Sequence, residues 1–173
     1  WYKTNIADKG YSSYVSNAVG FCGDRTLTGG DGISTNVYSY FGPFKRYQTK
    51  SPQFTCPNKE RDLYTTTDSS IGNKALTYPV GLITDYELVF AGMNYGLVNK
   101  LSWAYSNNVY WTMSPGSFDP TWGGARGLFQ HYYGYISSIR VVVGYGARPV
   151  INLKSDTLIT SGIGTSSDPF VVQ

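Results

Sequence analysis

Apolar residues in this chain come in short runs separated by turn residues, with no long regular stripe. Tyr11, Tyr14 and Val15 recur at i, i+3 and i+4, which predicts a short helix over residues 11–17. Residues 20–78 follow as a long irregular stretch, punctuated by Gly29-Gly30-Asp31-Gly32, Gly42-Pro43, Ser51-Pro52 and Cys56-Pro57. Loops that long are uncommon in a compact domain unless stapled or functional. The sharpest local signal is Thr84-Asp85-Tyr86-Glu87 ahead of Leu88-Val89-Phe90-Ala91-Gly92. Thr84 as N-cap and Glu87 three residues on form a capping box, and Gly92 offers a stop. The spacing predicts a helix of about two turns that buries Tyr86, Val89 and Phe90. Pro79-Val80-Gly81-Leu82-Ile83 reads as an apolar segment feeding it.

Beyond that helix the pattern turns to strands. Residues 109–113 are β-rich, residues 128–133 alternate imperfectly until Gly134, and residues 139–143 are β-branched apart from Arg140. Residues 148–153 predict another strand, and residues 156–173 a terminal hairpin turning near Gly162-Ile163-Gly164. No internal repeat or boundary divides the chain, so residues 1–173 are expected to form one α+β domain.

Composition narrows the class. Charged residues are 14% of the chain and aromatics 16%, with 16 tyrosines, the opposite of a disordered segment. The 20 glycines favour turns over long helices. The net charge of +3 is scattered, Lys45-Arg46 being the densest pair, so nucleic acid is not an expected partner. No run of about 18 apolar residues exists to span a membrane. Trp1 opens the chain without a leader, so the expectation is an excised or mature part of a longer protein, its leader or anchor missing. Cys22 and Cys56, 34 residues apart, have no metal-ligand spacing. In an exported protein they form a disulfide worth roughly 3–4 kcal/mol; in a cytosolic one they are two buried thiols.

His131 is the sole histidine, and no serine elbow, second histidine or carboxylate dyad lies near it in sequence, so a surface contact is a better reading than catalysis. Trp111 sits in an apolar run and reads as core. Arg148, between a glycine turn and a strand, reads as a brace for nearby carbonyls. Phe118, Trp122, Tyr132, Tyr133 and Tyr135 form the candidate contact surface, with glycines at 116, 123, 124, 127 and 134 keeping the intervening chain irregular. Aromatic side chains with few rotatable bonds make good anchors in such surfaces. Tyr105, Arg126, His131, Ser137, Arg140 and Tyr145 complete the candidate ligand-contacting set within residues 105–145.

Several segments together resemble a domain family of secreted, often pilin-anchored bacterial surface proteins with the C-type-lectin fold in its formylglycine-generating-enzyme-like form. They are Cys22-Gly23-Asp24-Arg25, Asp62-Leu63-Tyr64-Thr65, residues 76–84, residues 110–115, residues 146–153, Ser161-Gly162 and Asp168-Pro169-Phe170. The resemblance covers most of residues 20–173 and implies a small antiparallel core, long loops and a ligand face in the last third of the chain. Some relatives are variable proteins of diversity-generating retroelements. Members resembling this chain often carry Asn-rich runs where it reads Ile136-Ser137-Ser138-Ile139-Arg140-Val141-Val142-Val143-Gly144-Tyr145, residues that adenine-directed changes of Asn codons yield. The expected function is extracellular, adhesin- or receptor-type binding of a protein or glycan on another cell, phage or host surface. A structural minor-pilin or assembly subunit is the alternative. The enzymes of this fold depend on a cysteine pair near the C-terminus; this chain has no cysteine after Cys56, so it is not expected to be an enzyme. No cofactor is expected. Calcium, used elsewhere in this fold, is left open, with Asp24, Asp31, Asp119 and Asp156 as available carboxylates but no EF-hand spacing.

Overall fold

Short elements alternate with loops throughout the chain, as its glycine content dictates. The structure, a computed structural model, describes residues 1–33, 36–122, 124–165 and 167–173. A π turn at Lys3–Ala7 and a 3₁₀ turn at Tyr11–Tyr14 open the chain. They precede β1 (Phe21–Cys22), β2 (Leu27–Gly29), β3 (Ser39–Phe41), α1 (Gly42–Thr49), α2 (Lys59–Asp62), β4 (Leu63–Tyr64), β5 (Gly81–Leu82) and α3 (Asp85–Phe90). The second half supplies β6 (Tyr110–Asp119), β7 (Gly124–Gln130), β8 (Ile136–Arg140), β9 (Gly146–Ala147), β10 (Pro149–Val150), β11 (Ile159–Ser161) and β12 (Val171–Val172). The fold is α+β with mostly antiparallel sheets. The main sheet runs β2-β3-β6-β7-β8, and β9 joins β6 in parallel. No helix among the described residues is long and apolar enough to cross a membrane.

Period-two alternation along β6 separates two faces. Tyr110, Thr112 and Ser114 point into the core, while Trp111, Met113 and Pro115 stay half-buried on the outer face. Leu128 and Ile136 continue the inner face and meet Tyr47 of α1, Leu88 of α3, Met93 and Ala104. α3 carries the capping box in full: Thr84 Oγ1 accepts from Glu87 N, and Glu87 Oε2 accepts from Thr84 N at 2.7 Å. Gly92 follows its end with φ +84°. The buried face differs from the expectation, however. Leu88 is the fully covered residue, Val89 is half-buried, and Phe90 is 74% exposed against the ring of Phe54. A helix this short presents whichever face its neighbours cover, and here α1 and β6 together cover Tyr86 and Leu88.

Other expected boundaries shift as well. The expected helix over residues 11–17 is only the 3₁₀ turn, with Tyr11 exposed. The expected strand over residues 139–143 starts earlier, at Ile136, and ends at Arg140, leaving Val141 and Val142 exposed. Residues 148–153 contribute only β10. The stretch 20–78, read as irregular, contains two helices. Pro43 lies in the first turn of α1, where a missing N–H costs nothing. Asn58 caps α2 by accepting from Arg61 N at 2.9 Å.

The Cys22–Cys56 disulfide is present and staples this stretch. Beside it the carboxylate of Asp62, fully buried, takes Arg25 Nε at 2.8 Å and Arg61 Nη2 at 2.7 Å. Burial works against its ionisation, but the hydrogen bonds from Arg61 and Arg25 prevail and hold its pKa below the ordinary aspartate value.

Candidate functional site

The β6–β7 hairpin carries Phe118, Trp122 and Arg126, and the turn that follows β7 carries His131, Tyr132, Tyr133 and Tyr135. The hairpin's own turn forms because Asp119 Oδ1 accepts the N–H groups of Thr121 and Trp122 at 3.0 and 3.1 Å, an Asx turn. Trp122, 71% exposed, sits at that tip. Gly123, one of the glycines expected to keep the surface irregular, lies outside the described residues. At the other end the chain leaves β7 into a tight turn closed by Gly134 N donating to His131 O at 2.7 Å and His131 N donating to Tyr135 O at 2.9 Å. Gly134 has φ +87°, and a Cβ there would lie 2.9 Å from the Asn99 carbonyl, so both conformation and space demand glycine.

That turn gathers rings. His131 stacks on Tyr135 at 4.5 Å and 10°, and lies 4.2 Å from Tyr132 and 5.1 Å from Tyr133, centroid to centroid. Tyr132 and Tyr133 are 43% and 48% exposed. Tyr133 N donates to His131 Nδ1 at 3.2 Å, so the ring holds its proton on Nε2 and presents a single donor outwards. Burial lowers the histidine's pKa, which favours that neutral form. Tyr105 Oη reaches Asn107 Oδ1 at 2.5 Å and Tyr132 O at 3.1 Å, tying a neighbouring loop to the turn. Lys100 Nζ stands 5.9 Å over the Tyr133 ring.

From this platform the rings continue along the outer face. Phe129 lies 6.0 Å from His131 and 4.9 Å from Tyr145, and Tyr145 lies 5.2 Å from Trp111. Trp111, expected in the core, is half-buried on the outer face, because alternation from the buried Tyr110 turns it outward and the absence of a side chain at Gly127 lets its ring lie over β7. A Cβ at Gly127 would come within 3.0 Å of that ring. Trp111 also walls a groove of about 510 Å³, lined with Met113, Phe118, Phe41, Ile33 and Val141. Ser137 pairs with Phe129 and so faces the same side.

The structure therefore divides the expected contact surface into three parts. His131, Tyr132, Tyr133, Tyr135, Tyr105 and Tyr145 come together, with Phe118 in the adjoining groove. Trp122 stands apart at the far tip, since the seven residues of β7 span about 20 Å. Arg126 and Arg140 pair directly across β7 and β8 in register with buried Ser117, on the inner side of the sheet. Lys100 was missed; it comes from a loop with no periodicity, and only the fold brings it over Tyr133.

Arg148 is placed by two contacts: its Nη1 donates to Ala104 O at 2.8 Å, and its guanidinium lies 5.5 Å over the Tyr110 ring. Asp24 is buried, accepting from Tyr86 Oη at 2.5 Å and Thr26 N at 3.0 Å. Among the described residues no three His, Cys, Asp or Glu side chains are grouped to hold a metal, so Asp24, Asp31, Asp119 and Asp156 do not form a joint calcium site.

Buried beside Asp24 is a second acid. Asp85 Oδ1 accepts from Ser114 Oγ at 2.8 Å, while its buried Oδ2 has no partner. Burial pushes its pKa up to about 7 against the opposing Ser114 hydrogen bond. Compared with family models, curated proteins and solved structures, the chain has no match.

Proposed function

We propose that this chain is an extracellular ligand-binding domain of adhesin or receptor type, C-type-lectin-like in architecture, whose contact surface is the β7–β8 turn and the adjoining outer face of the β6–β7 hairpin. The observation that carries the proposal is the ring platform of His131, Tyr132, Tyr133 and Tyr135, continued by Phe129, Tyr145 and Trp111 to the rim of an apolar groove. Two adjacent tyrosines left nearly half exposed, on a turn fixed by backbone hydrogen bonds, offer large contact area at low ordering cost. The ligand is a protein or a glycan on another cell, phage or host surface. The disulfide accords with export, since such bonds persist in oxidising compartments. In this reading the protein binds and does not catalyse: the His131 Nδ1 lone pair is occupied by a backbone donor, and its neighbours are rings. The variable-protein resemblance concerns the same region, because Tyr132, Tyr133 and Ser137 are accessible while Leu128 and Ile136 are core.

The test is a screen of the purified chain on glycan arrays and on intact bacterial cells beside a Tyr132→Ala/Tyr133→Ala double variant. Binding by the wild type that falls at least tenfold in the double variant supports the proposal. Equal binding by both proteins overturns the site.

A second reading, an assembly subunit, is favoured by the C-terminal hairpin. Leu158, Ile159, Ile163, Phe170 and Val171 are all exposed on a two-stranded sheet, which is marginal alone in water. Concentration-dependent self-association that Ile159→Ser abolishes would favour this reading over the first.

A further inference from the structure

A row of side chains crosses the inner side of the main sheet at the end nearest the Trp122 turn. Tyr40 pairs with Ser117, Ser117 with Arg126, and Arg126 with Arg140, so four neighbouring strands each contribute one residue. Directly opposed residues stand about 5 Å apart and share a face. Two arginines are thus held side by side, an arrangement that like-charge repulsion opposes. No carboxylate relieves it: the ion pairs among the described residues join Arg25 and Arg61 to Asp62. Asp119, at the end of β6, spends one oxygen on the Thr121 and Trp122 N–H groups, and Asp85 is bonded to Ser114. Among the described residues the Arg126 guanidinium donates to one acceptor, from Nη2 to Ser138 O at 3.1 Å, and its buried Nε has none. Arg140 is exposed. At the other end of the row lies the partly exposed Tyr40 ring, 4.7 Å from the ring of Tyr38, whose hydroxyl bonds Ser117 Oγ at 3.1 Å.

We propose that this row is a second binding site, separate from the outer-face ring platform, which takes the carboxylate or sulfate of an acidic saccharide: the oxyanion bridges Arg126 and Arg140, and the sugar ring lies towards Tyr40. Guanidinium forks match planar and tetrahedral oxyanions, and pairing with one removes the repulsion between the two strands. The aromatic end of the row selects a saccharide over a bare ion, because a pyranose offers C–H groups to a tyrosine face while the hydroxyl of Tyr38 can meet its oxygens.

The experiment uses the full chain. Thermal unfolding is followed in millimolar sodium sulfate against sodium chloride of equal ionic strength, and calorimetry compares D-glucuronate, acetate, D-glucose and a Glu-rich peptide. In the wild type, sulfate is expected to raise Tm saturably beyond chloride. Glucuronate is expected to bind about tenfold tighter than acetate, and glucose not to bind. Arg140→Gln, an exposed position, is expected to weaken sulfate and glucuronate at least tenfold while leaving the sulfate-free Tm equal or higher, since the repulsion is gone. Tyr40→Ala is expected to weaken glucuronate and spare sulfate. An unchanged sulfate response in Arg140→Gln overturns the site. Acetate matching glucuronate, or the acidic peptide outcompeting it, overturns the saccharide. Neither result bears on the outer-face platform, whose test uses Tyr132 and Tyr133.

Discussion

Replacing Asp85 by Asn should flatten the pH dependence of this protein's stability between about pH 4 and pH 8. The carboxyl is fully buried, bonded through Oδ1 to Ser114 Oγ at 2.8 Å, and within electrostatic reach of the hydrogen-bonded Asp24 and Tyr86. Its pKa of about 7 exceeds the ordinary aspartate value by about 3 units, equivalent to about 4 kcal/mol at 1.36 kcal/mol per unit. The sign follows from proton uptake. Between the unfolded value near 4 and the folded value near 7 the native state holds the proton and the unfolded chain does not, so stability is full below about pH 4 and is lost as pH rises through 7. Asn imitates the protonated acid and keeps an oxygen for Ser114, so any cost of its extra donor is the same at every pH. His131, with its pKa lowered, and Asp62, with its carboxyl held ionised, both gain stability as pH rises. The comparison that isolates Asp85 is therefore wild type against variant. Urea unfolding followed by tryptophan fluorescence should show the wild type losing up to about 4 kcal/mol relative to Asp85→Asn from pH 4 to pH 8. Parallel profiles for the two proteins would refute the buried-acid reasoning.

Reduction of Cys22–Cys56 releases a loop of 34 residues and should cost about 4 kcal/mol, a fall of about 10 °C in Tm at this chain length. A melting temperature indifferent to reductant, with two thiols shown by mass, would deny the staple. Gly134→Ala should destabilise by about 1–3 kcal/mol, from its positive φ and its contact with Asn99, and should weaken ligand binding beyond what the stability loss explains; chemical denaturation and an affinity measurement on the folded fraction check both halves. If the outer face is diversified, sequencing this locus across one population should show substitutions at Tyr132, Tyr133, Ser137 and Tyr145 while Leu128, Gly134, Ile136 and Arg148 stay fixed. Changes spread evenly over core and surface would contradict that.

What the sequence revealed was local chemistry. The Thr84–Glu87 capping box needs only four residues to declare itself, and its hydrogen bonds are all present. The terminal hairpin, the strands around Trp111 and the crowding of rings near Gly134 were legible for the same reason. What escaped was decided by distant neighbours. Gly42-Pro43 reads as a turn until the sheet beside it gives α1 a face to cover, and then proline becomes a first-turn residue. Phe90 outranks Leu88 in bulk, yet Leu88 is the one that joins the core with Tyr47, Tyr110 and Leu128. Trp111 belongs to an apolar run, but strand alternation from Tyr110 turns it to the outer face, where the bare backbone at Gly127 makes room for its ring. Trp122 lies close in sequence to Tyr132, and a whole strand separates them in space. The opposed arginines could not be seen at all, because register pairs residues that sequence leaves 14 apart.

The central claim, that the ring platform is the binding surface, is tested most directly by oxidative footprinting of the chain with and without a ligand captured from the array or cell screen. The expected result is protection of Tyr132 and Tyr133, with two other exposed rings, Trp122 and Trp103 of the loop before β6, oxidised as in the free protein. Protection at Trp122 or over residues 95–103, with Tyr132 and Tyr133 unchanged, would place the ligand elsewhere and contradict the account.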